Sequence, residues 1–352
     1  MGDYRTLFDQ SMHSILNTGL GLLREYPQSA AALTHVFAHQ TEAKKKRSAW
    51  LKQGVVVPPL LIISTTEQCN LHCKGCYAQG HCRDIQQEMT RQQMDDLLSQ
   101  AVEAGCSMIL LAGGEPLLRH EWLEAVAQQP KLLGLVFTNG TLMDDAQADW
   151  FAANRSVVPL FSVEGSPDQT DERRGDGVAK CIENAMQRLS RRQVPFGLSI
   201  TTGEHNIADV ANLDFLSPYL QLGCRLSIFV EYVPMETTTQ LLVLTQQSKQ
   251  KLQAFCHQAS ARGKALLIAF PGDESTYDGC LAAGRGFAHI SASGALEPCP
   301  FAACSDRNVI NEPLLKAFCS PLFQKIRQES HLYHEGAGGC ALRGKDAATI
   351  SR

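Results

Sequence analysis

The strongest constraint on the fold is an alternation of apolar, strand-like segments with helix-like segments between about residues 58 and 270. Such alternation is typical of βα units, which build a parallel sheet covered by helices. Apolar runs predict strands near 59–64, 107–112, 132–138, 157–163, 196–201 and 225–232. Helical periodicity predicts helices near 90–104, 120–128, 144–153, 178–192, 207–220 and 245–261. The predicted strands and helices make six βα units, fewer than the eight that close a full TIM barrel.

Three cysteines follow the first predicted strand in a C-x3-C-x2-C arrangement: Cys69, Cys73 and Cys76. Thiolates are soft ligands that suit zinc and iron–sulfur clusters. Three thiolates in so short a loop can hold three corners of a [4Fe–4S] cluster and leave the fourth iron without a protein ligand. The alternative is structural zinc, which needs a fourth ligand nearby. Candidates for that ligand are His72, His81 and Cys82.

The loop, with Tyr77 directly after its third cysteine, resembles the cluster loop of the radical S-adenosylmethionine (SAM) enzymes. In that family SAM chelates the open iron, and an electron from the cluster cleaves SAM to a 5′-deoxyadenosyl radical. The resemblance implies that the three cysteines bind the cluster and that Tyr77 lies beside the adenine. It also implies an α/β fold, a partial (β/α)6 TIM-like barrel with ligands at the carboxyl ends of its strands.

A glycine-rich sequence, Gly113-Gly114-Glu115-Pro116, follows the second predicted strand. Glycines let the backbone approach a ligand closely because they have no Cβ atom. Backbone carbonyl and carboxylate oxygens can accept hydrogen bonds from an ammonium group. The sequence resembles the GGEP motif of the family, which implies that Gly113, Gly114 and Glu115 hold the amino group of SAM. The alternative is a structural turn between strand and helix.

Polar residues at the ends of later strands extend the predicted SAM site. Asn139 and Ser162 resemble family positions around the ribose and carboxylate of SAM, and Glu164 is a further candidate. Residues 170–175 resemble a family H-D-x-x-R-G sequence, with threonine in place of the usual histidine. The resemblance implies that Arg174 pairs with the SAM carboxylate. This arginine and its neighbour can equally fix a loop by salt bridges.

The sixth predicted strand ends in Glu231 and Tyr232, at the expected mouth of the barrel. Either side chain can line a substrate pocket and take part in proton or radical chemistry. Because side chains alternate along a strand, only one of the two is expected to point inward. No other catalytic residue is identified from the sequence.

Beyond residue 270 the chain carries a second group of cysteines. Cys280 and Cys299 flank two short strand-like runs around a glycine turn, which predicts a hairpin. This C-x13-G-x4-C arrangement resembles the auxiliary-cluster hairpin of SPASM and twitch domains. The resemblance implies at most one auxiliary [4Fe–4S] cluster, ligated by Cys280, Cys299 and Cys340, with Cys304 as the candidate fourth ligand. The alternative is a hairpin with buried, unligated thiols.

The predicted organisation has three parts. A helical N-terminal cap spans residues 1–57, a radical SAM core barrel spans 58–270, and a SPASM/twitch-like domain spans 271–352. In the cap, apolar periodicity predicts one helix from about Leu7 to Leu20 and another from Ala30 through the basic residues 44–47. The basic run is expected to form a solvated helix face.

Composition and charge limit the class of protein. The chain has 352 residues, of which 44% are hydrophobic and 19% are charged, as in globular proteins. Its net charge of -4 gives no general attraction to nucleic acid, and no apolar run is long enough to cross a membrane. Without an N-terminal secretory signal, the thirteen cysteines are expected in a reducing cytoplasm, where they favour metal binding over disulfides. Core packing is expected for Cys106, Cys181, Cys224 and Cys256.

The resemblance implies an enzyme that cleaves SAM reductively and abstracts hydrogen from a substrate. A peptide or protein undergoing maturation is the favoured substrate, because SPASM and twitch relatives commonly modify such molecules. A cofactor, tetrapyrrole or nucleoside precursor is the alternative. A non-catalytic iron–sulfur or zinc protein is the hypothesis of another class, and the SAM-binding motifs oppose it. A reductant such as ferredoxin or flavodoxin is the expected electron donor.

Overall fold

The computed structural model describes residues 19, 21, 23–81, 87–270, 277, 279–329 and 342. Within them, nine strands form one sheet in the order β7-β6-β5-β4-β3-β2-β1-β8-β9. All neighbouring strands are parallel except β8 and β9. The strands are β1 Leu60–Ser64, β2 Met108–Ala112, β3 Leu133–Thr138, β4 Val157–Val163, β5 Phe196–Thr202, β6 Cys224–Glu231, β7 Leu266–Phe270, β8 Phe287–Ile290 and β9 Leu296–Glu297.

Helices connect successive strands and cover the sheet. They are α1 Pro27–Lys52, α2 Tyr77–Gly80, α3 Arg91–Ala104, α4 His120–Ala127, α5 Asp145–Ala153, α6 Pro167–Arg174, α7 Val178–Arg191, α8 Ile207–Val210, α9 Leu213–Leu222, α10 Gln246–Ala261, α11 Leu314–Ala317 and α12 Pro321–Gln328. In α7 the apolar stripe faces the core, with Val178, Ile182 and Leu189 buried. No helix in the described ranges is long and apolar enough to cross a membrane.

This open, mostly parallel α/β sheet confirms the predicted partial TIM-like barrel, and the predicted elements lie within a few residues of the observed ones. One strand was not predicted: β7 pairs in parallel with β6. Leu266–Phe270 is a five-residue apolar run like those of β1 and β2, but it follows the six predicted units and was left unassigned. The cysteines Cys106, Cys224 and Cys256 are buried as expected, whereas Cys181 is exposed on α7.

The predicted C-terminal hairpin is present, and it extends the same sheet. β8 pairs in parallel with β1, and β9 folds back on β8 in antiparallel orientation. His289 on β8 joins the three strands, because its ring nitrogens lie 2.8 Å from Ser64 Oγ and 2.7 Å from Glu297 Oε2. All three side chains are buried. The hairpin is therefore attached directly to the strand that leads into the cysteine loop.

Helix α1 is longer than predicted and is fastened to the barrel by part of its basic run. Lys46 Nζ donates to the Val102 carbonyl at 3.3 Å, and Arg47 Nη1 donates to the Gly105 carbonyl at 2.7 Å. These carbonyls lie at the C-terminal end of α3, where the helix dipole favours cations. The basic run is thus only partly the solvated face that was predicted. The other predicted cap helix, from Leu7 to Leu20, lies almost entirely outside the described residues.

Candidate active site

The predicted site residues of the core gather around one cavity at the carboxyl ends of the strands. Its border includes Cys69, Cys73, Cys76, Tyr77, Gly113, Gly114, Glu115, Asn139, Ser162, Arg174, Glu231 and Tyr232. Arg173, Ser199 and Thr201 also border it. The wall toward the barrel interior is apolar and includes Leu60, Ile62, Leu110, Leu135, Phe137 and Ile228. Motifs that are distant in sequence therefore meet at one place.

The glycine pair is pressed against the segment that leads into the cysteine loop. Gly114 N donates to the Thr66 carbonyl at 2.7 Å, and Glu115 N donates to the Gln68 carbonyl at 2.9 Å. A Cβ atom on Gly114 would lie 1.8 Å from the Gln68 carbonyl oxygen, so only glycine fits there. Gly113 has a φ of +108°, which also favours glycine. The glycine pair therefore sets the position of the cysteine loop.

The Glu115 carboxylate joins the ends of β2 and β3. It is 1% exposed and accepts hydrogen bonds from Leu117 N at 3.0 Å, Thr138 Oγ1 at 2.7 Å and Asn139 N at 2.8 Å. Burial raises the pKa of Glu115, and the hydrogen bonds oppose this shift. Because most of its acceptor capacity is used within the chain, the carbonyl oxygens of the turn are the better acceptors for an ammonium group.

Asn139 lies beside the cysteine loop. Its Nδ2 donates to Asn70 Oδ1 at 2.9 Å and to Cys69 Sγ at 3.8 Å. Its Oδ1 accepts hydrogen bonds from the backbone and the hydroxyl of Thr141. An N–H group directed at a ligand sulfur stabilises the negative charge of a thiolate. The side chain is thus engaged with the loop, and its contact with SAM stays a prediction.

Glu164, Arg173 and Arg174 form a buried charged group next to the loop. Glu164 Oε1 lies 2.6 Å from both Arg173 Nη1 and Arg174 Nη2, while its Oε2 is buried and has no hydrogen-bond partner in the described ranges. Arg173 also holds the loop, since its Nε donates to the Lys74 carbonyl at 3.1 Å and its carbonyl accepts from Lys74 N at 2.8 Å. Arg173 therefore fixes the loop, and Arg174 offers N–H groups to the cavity.

The surroundings of the cysteine thiols act on their ionisation in two opposite directions. Burial raises the pKa values of Cys69 and Cys73, and the nearby guanidinium groups of Arg174 and Arg173 oppose the shift at Cys73. Among the residues with described positions, no three Cys, His, Asp or Glu side chains converge on a single metal ion. Cys82, one of the alternative zinc ligands, lies outside the described residues.

Both residues at the end of β6 border the cavity, and the expectation that only one of their side chains points inward stays a prediction. Glu231 is the last residue of the strand, and Tyr232 lies beyond it, where strand alternation no longer applies. Glu231 Oε2 lies 2.8 Å from Lys249 Nζ, with both side chains buried. Its Oε1 is buried and makes no hydrogen bond within the described structure.

Comparison with known proteins agrees with this geometry. The model of the Radical SAM superfamily matches residues 63–216, which include the three cysteines, the glycine pair, Asn139, Ser162 and Arg174. Residues 63–216 form a radical SAM domain. The chain is a radical SAM enzyme, whose cofactors are a [4Fe–4S] cluster and SAM.

Several relatives of this radical SAM enzyme are similar over most of its length. The AdoMet-dependent heme synthase of Methanosarcina barkeri is 24% identical over 81% of this chain and 92% of the relative. The enzyme of the same name from Nitratidesulfovibrio vulgaris is 23% identical over 83% of this chain and 90% of the relative. The match to the Fe-coproporphyrin III synthase of M. barkeri is 26% identical, and it spans 48% of this chain and 43% of that protein.

Solved structures share the fold of this radical SAM enzyme. SuiB of Streptococcus suis bound to S-adenosylmethionine has a TM-score of 0.64 and 18% identity, covering 80% of this chain and 71% of that one. The anSMEcpe enzyme with bound AdoMet has a TM-score of 0.62 and 16% identity, and the match covers 82% of this chain and 92% of that one. At these identities the similarity concerns the fold.

The segment that follows the C-terminal hairpin of this radical SAM enzyme borders the cavity. Phe301 packs edge to face on Tyr77, with ring centroids 5.0 Å apart, and Pro300 borders the same cavity. His81 Nε2 lies 3.0 Å from the Pro300 carbonyl oxygen. No local pattern connects Tyr77 with Phe301, so this contact could not be found from the sequence. It couples the segment after Cys299 to the turn after the cysteine loop.

The cysteines of the predicted auxiliary cluster are only partly described. Cys299 and Cys304 are buried, and Cys280 is half-buried. Ala302 N donates to the Cys299 carbonyl at 3.0 Å, which closes a tight turn and keeps Cys299 and Cys304 in one short loop. Cys340 lies outside the described residues. The ligand set of the auxiliary cluster therefore stays a prediction.

Replacing Phe301 with alanine should weaken SAM binding roughly three- to tenfold, because an edge-to-face aromatic pair contributes about 0.5–1.5 kcal/mol. The expected cause is loss of the ring that supports Tyr77, which is predicted to lie beside the adenine. Isothermal titration of the reconstituted enzyme with SAM measures the effect. Phe215→Ala is the matched control, since Phe215 packs edge to face on Tyr219 in α9. Equal affinities for the two variants would contradict the role of Phe301.

Proposed function

We propose that this radical SAM enzyme modifies a peptide or a protein. The main support for this proposal is the set of charged side chains at the border of the cavity. Among the described residues at its border, the cationic side chains are Arg173 and Arg174, and both already pair with Glu164. Glu231 is paired as well, since its Oε2 lies 2.8 Å from Lys249 Nζ, and its Oε1 is buried. The charged groups at the border are thus balanced within the chain, which favours an apolar group that carries little charge of its own.

An amino-acid side chain on a peptide backbone matches this description. The aliphatic or aromatic part would enter the apolar wall of the barrel, and a backbone N–H group or a polar hydrogen would face Glu231. Proteins with the same fold have been solved with peptides, namely SuiB bound to the precursor peptide SuiA and anSMEcpe with the Cp18Cys peptide. These structures support the view that a barrel of this kind accommodates a peptide.

The proposed roles follow the geometry of the site. The cluster would be held by Cys69, Cys73 and Cys76. The carbonyl groups of residues 113–115 would hold the SAM amino group, and Arg174 its carboxylate. When bound, the cluster and SAM supply a radical that removes a hydrogen atom from the substrate. The apolar wall excludes water from the reacting groups, and a cytoplasmic ferredoxin or flavodoxin is the proposed reductant.

A second candidate substrate is a tetrapyrrole. It is favoured by the two heme synthases, whose similarity extends over 81% and 83% of this chain and thus beyond the core barrel. Tetrapyrroles of the haem series carry several carboxylates, which require cationic partners in a binding site. The cations described at the cavity border are already paired, which ranks this substrate second.

The test uses anaerobically reconstituted enzyme with SAM and a strong reductant. Two kinds of probe are offered, a library of short synthetic peptides and Fe-coproporphyrin III. The expected result is that at least one peptide changes in mass and stimulates 5′-deoxyadenosine formation, while the porphyrin has no effect. A Cys69→Ala variant is the control for background chemistry. Conversion of the porphyrin with no peptide altered would overturn the peptide proposal in favour of the tetrapyrrole.

A further inference from the structure

We infer that Tyr232 belongs to the cluster site: its hydroxyl group lies over Gly75, between Cys73 and Cys76, and donates a hydrogen bond to the cluster that this loop holds. Tyr232 would thereby position the loop and raise the reduction potential of the cluster. The inference rests on the proposed ligand set of the cluster. It concerns a residue outside the motif itself, contributed by the segment that follows β6.

The first observation is the contact between Tyr232 and the loop. Gly75 has a φ of +65°, and a Cβ atom at this position would lie 2.5 Å from Tyr232 Oη and 3.4 Å from two of its ring carbons. The phenol therefore fills the space that a side chain at residue 75 would occupy. Glycine is required at this point of the loop both by its backbone conformation and by the tyrosine above it.

The second observation is that the hydroxyl group is held in place without a partner. Tyr232 is 5% exposed and borders the cavity, and its backbone N–H donates to the Thr202 carbonyl at 2.9 Å. In the described part of the chain, Tyr232 Oη makes no hydrogen bond. The hydroxyl oxygen itself is not fully enclosed, so a ligand in the cavity can accept its hydrogen bond.

The third observation concerns charge. A cluster with three thiolate ligands carries negative charge, and hydrogen bonds to its sulfur atoms raise its reduction potential. At another point of the loop, Asn139 Nδ2 lies 3.8 Å from Cys69 Sγ. Two donors that follow different strands, Asn139 after β3 and Tyr232 after β6, would thus serve the same loop. A phenol is well suited to this position because its hydrogen can rotate toward a sulfur acceptor.

The test compares Tyr232→Phe with the wild-type holoenzyme by a redox titration monitored by electron paramagnetic resonance. The variant removes one oxygen and keeps the ring. We expect unchanged iron and sulfide contents and a shift of the midpoint potential to a more negative value. Tyr219→Phe, in α9, is the control and should leave the potential unchanged. An unchanged potential in Tyr232→Phe would overturn the inference alone, whereas wild-type protein without a cluster would overturn the proposed function as well.

A second pair of variants tests the contact itself. Gly75→Ala should lose most of its reconstituted iron, because the new methyl group meets the tyrosine oxygen. Adding Tyr232→Phe removes that oxygen and should restore part of the iron. Gly177→Ala is the control, since Gly177 has a φ of +80° and no atom within 4 Å of an added Cβ. A double variant with no more iron than Gly75→Ala would contradict the inferred contact.

Discussion

Replacing Cys69, Cys73 and Cys76 together with alanine should abolish the formation of 5′-deoxyadenosine from SAM. Without these thiolates the loop has no ligands for the cluster, and the electron that cleaves SAM has no route to it. Chromatography of the reaction products after incubation with SAM and dithionite measures the loss, which we expect to reach the level of an enzyme-free mixture. Iron bound by the C-terminal cysteines, where present, should remain in the variant.

The matched control for the triple variant is Cys181→Ala. Cys181 is exposed on α7, so its removal should change neither the iron content nor the rate of SAM cleavage. Iron and sulfide analysis of the wild type also gives the number of clusters, because about eight irons per chain indicate two cubanes and about four indicate one. If the triple variant still formed 5′-deoxyadenosine, the assignment of the three cysteines would be wrong.

Replacing Gly114 with alanine should prevent assembly of the cluster, although residue 114 is not a ligand. The added Cβ atom would lie 1.8 Å from the Gln68 carbonyl oxygen, which belongs to the backbone and cannot rotate away. The segment before Cys69 must then move, at a cost of about 3 kcal/mol or more in folding free energy. Chemical denaturation of the apoprotein and the iron content after reconstitution measure both effects.

Gly54→Ala separates this steric effect from the general cost of losing a glycine. Gly54 has a φ of +82° and no atom within 4 Å of an added Cβ, so alanine there meets only backbone strain. That strain costs about 1–2 kcal/mol and should leave cluster assembly intact. Equal iron contents in Gly54→Ala and Gly114→Ala would show that the close approach of the two loops is unimportant.

Most of the barrel could be predicted from the sequence because its signals are local. The apolar runs of β1 to β6 and the periodicity of helices such as α7 lie within short segments. The strand β7 has an apolar run of the same kind but was left unassigned beyond the six predicted units, and its pairing with β6 is a contact between distant segments. The same reason explains why the parallel pairing of β8 with β1 was not foreseen.

In the candidate site, too, local motifs could be predicted and contacts between distant segments could not. The residues that border the cavity could be named from motifs, but the partners of their side chains could not. Glu115 was expected to face a ligand, and its carboxylate instead accepts three hydrogen bonds from the chain. The contact of Tyr232 with Gly75 had no local signal, because it joins the end of β6 to a loop far earlier in the chain.

The pairing of β8 with β1 has a consequence for how the protein is made. Ser64 and His289, which hydrogen-bond to each other, are separated by 225 positions in the chain. As the polypeptide leaves the ribosome, β1 therefore keeps an uncovered edge until the hairpin has emerged. Such an edge can pair with other chains, and it adjoins the strand end from which the cysteine loop departs. A chain that ends before residue 287 should therefore aggregate more readily than the full chain, because the edge of β1 stays uncovered.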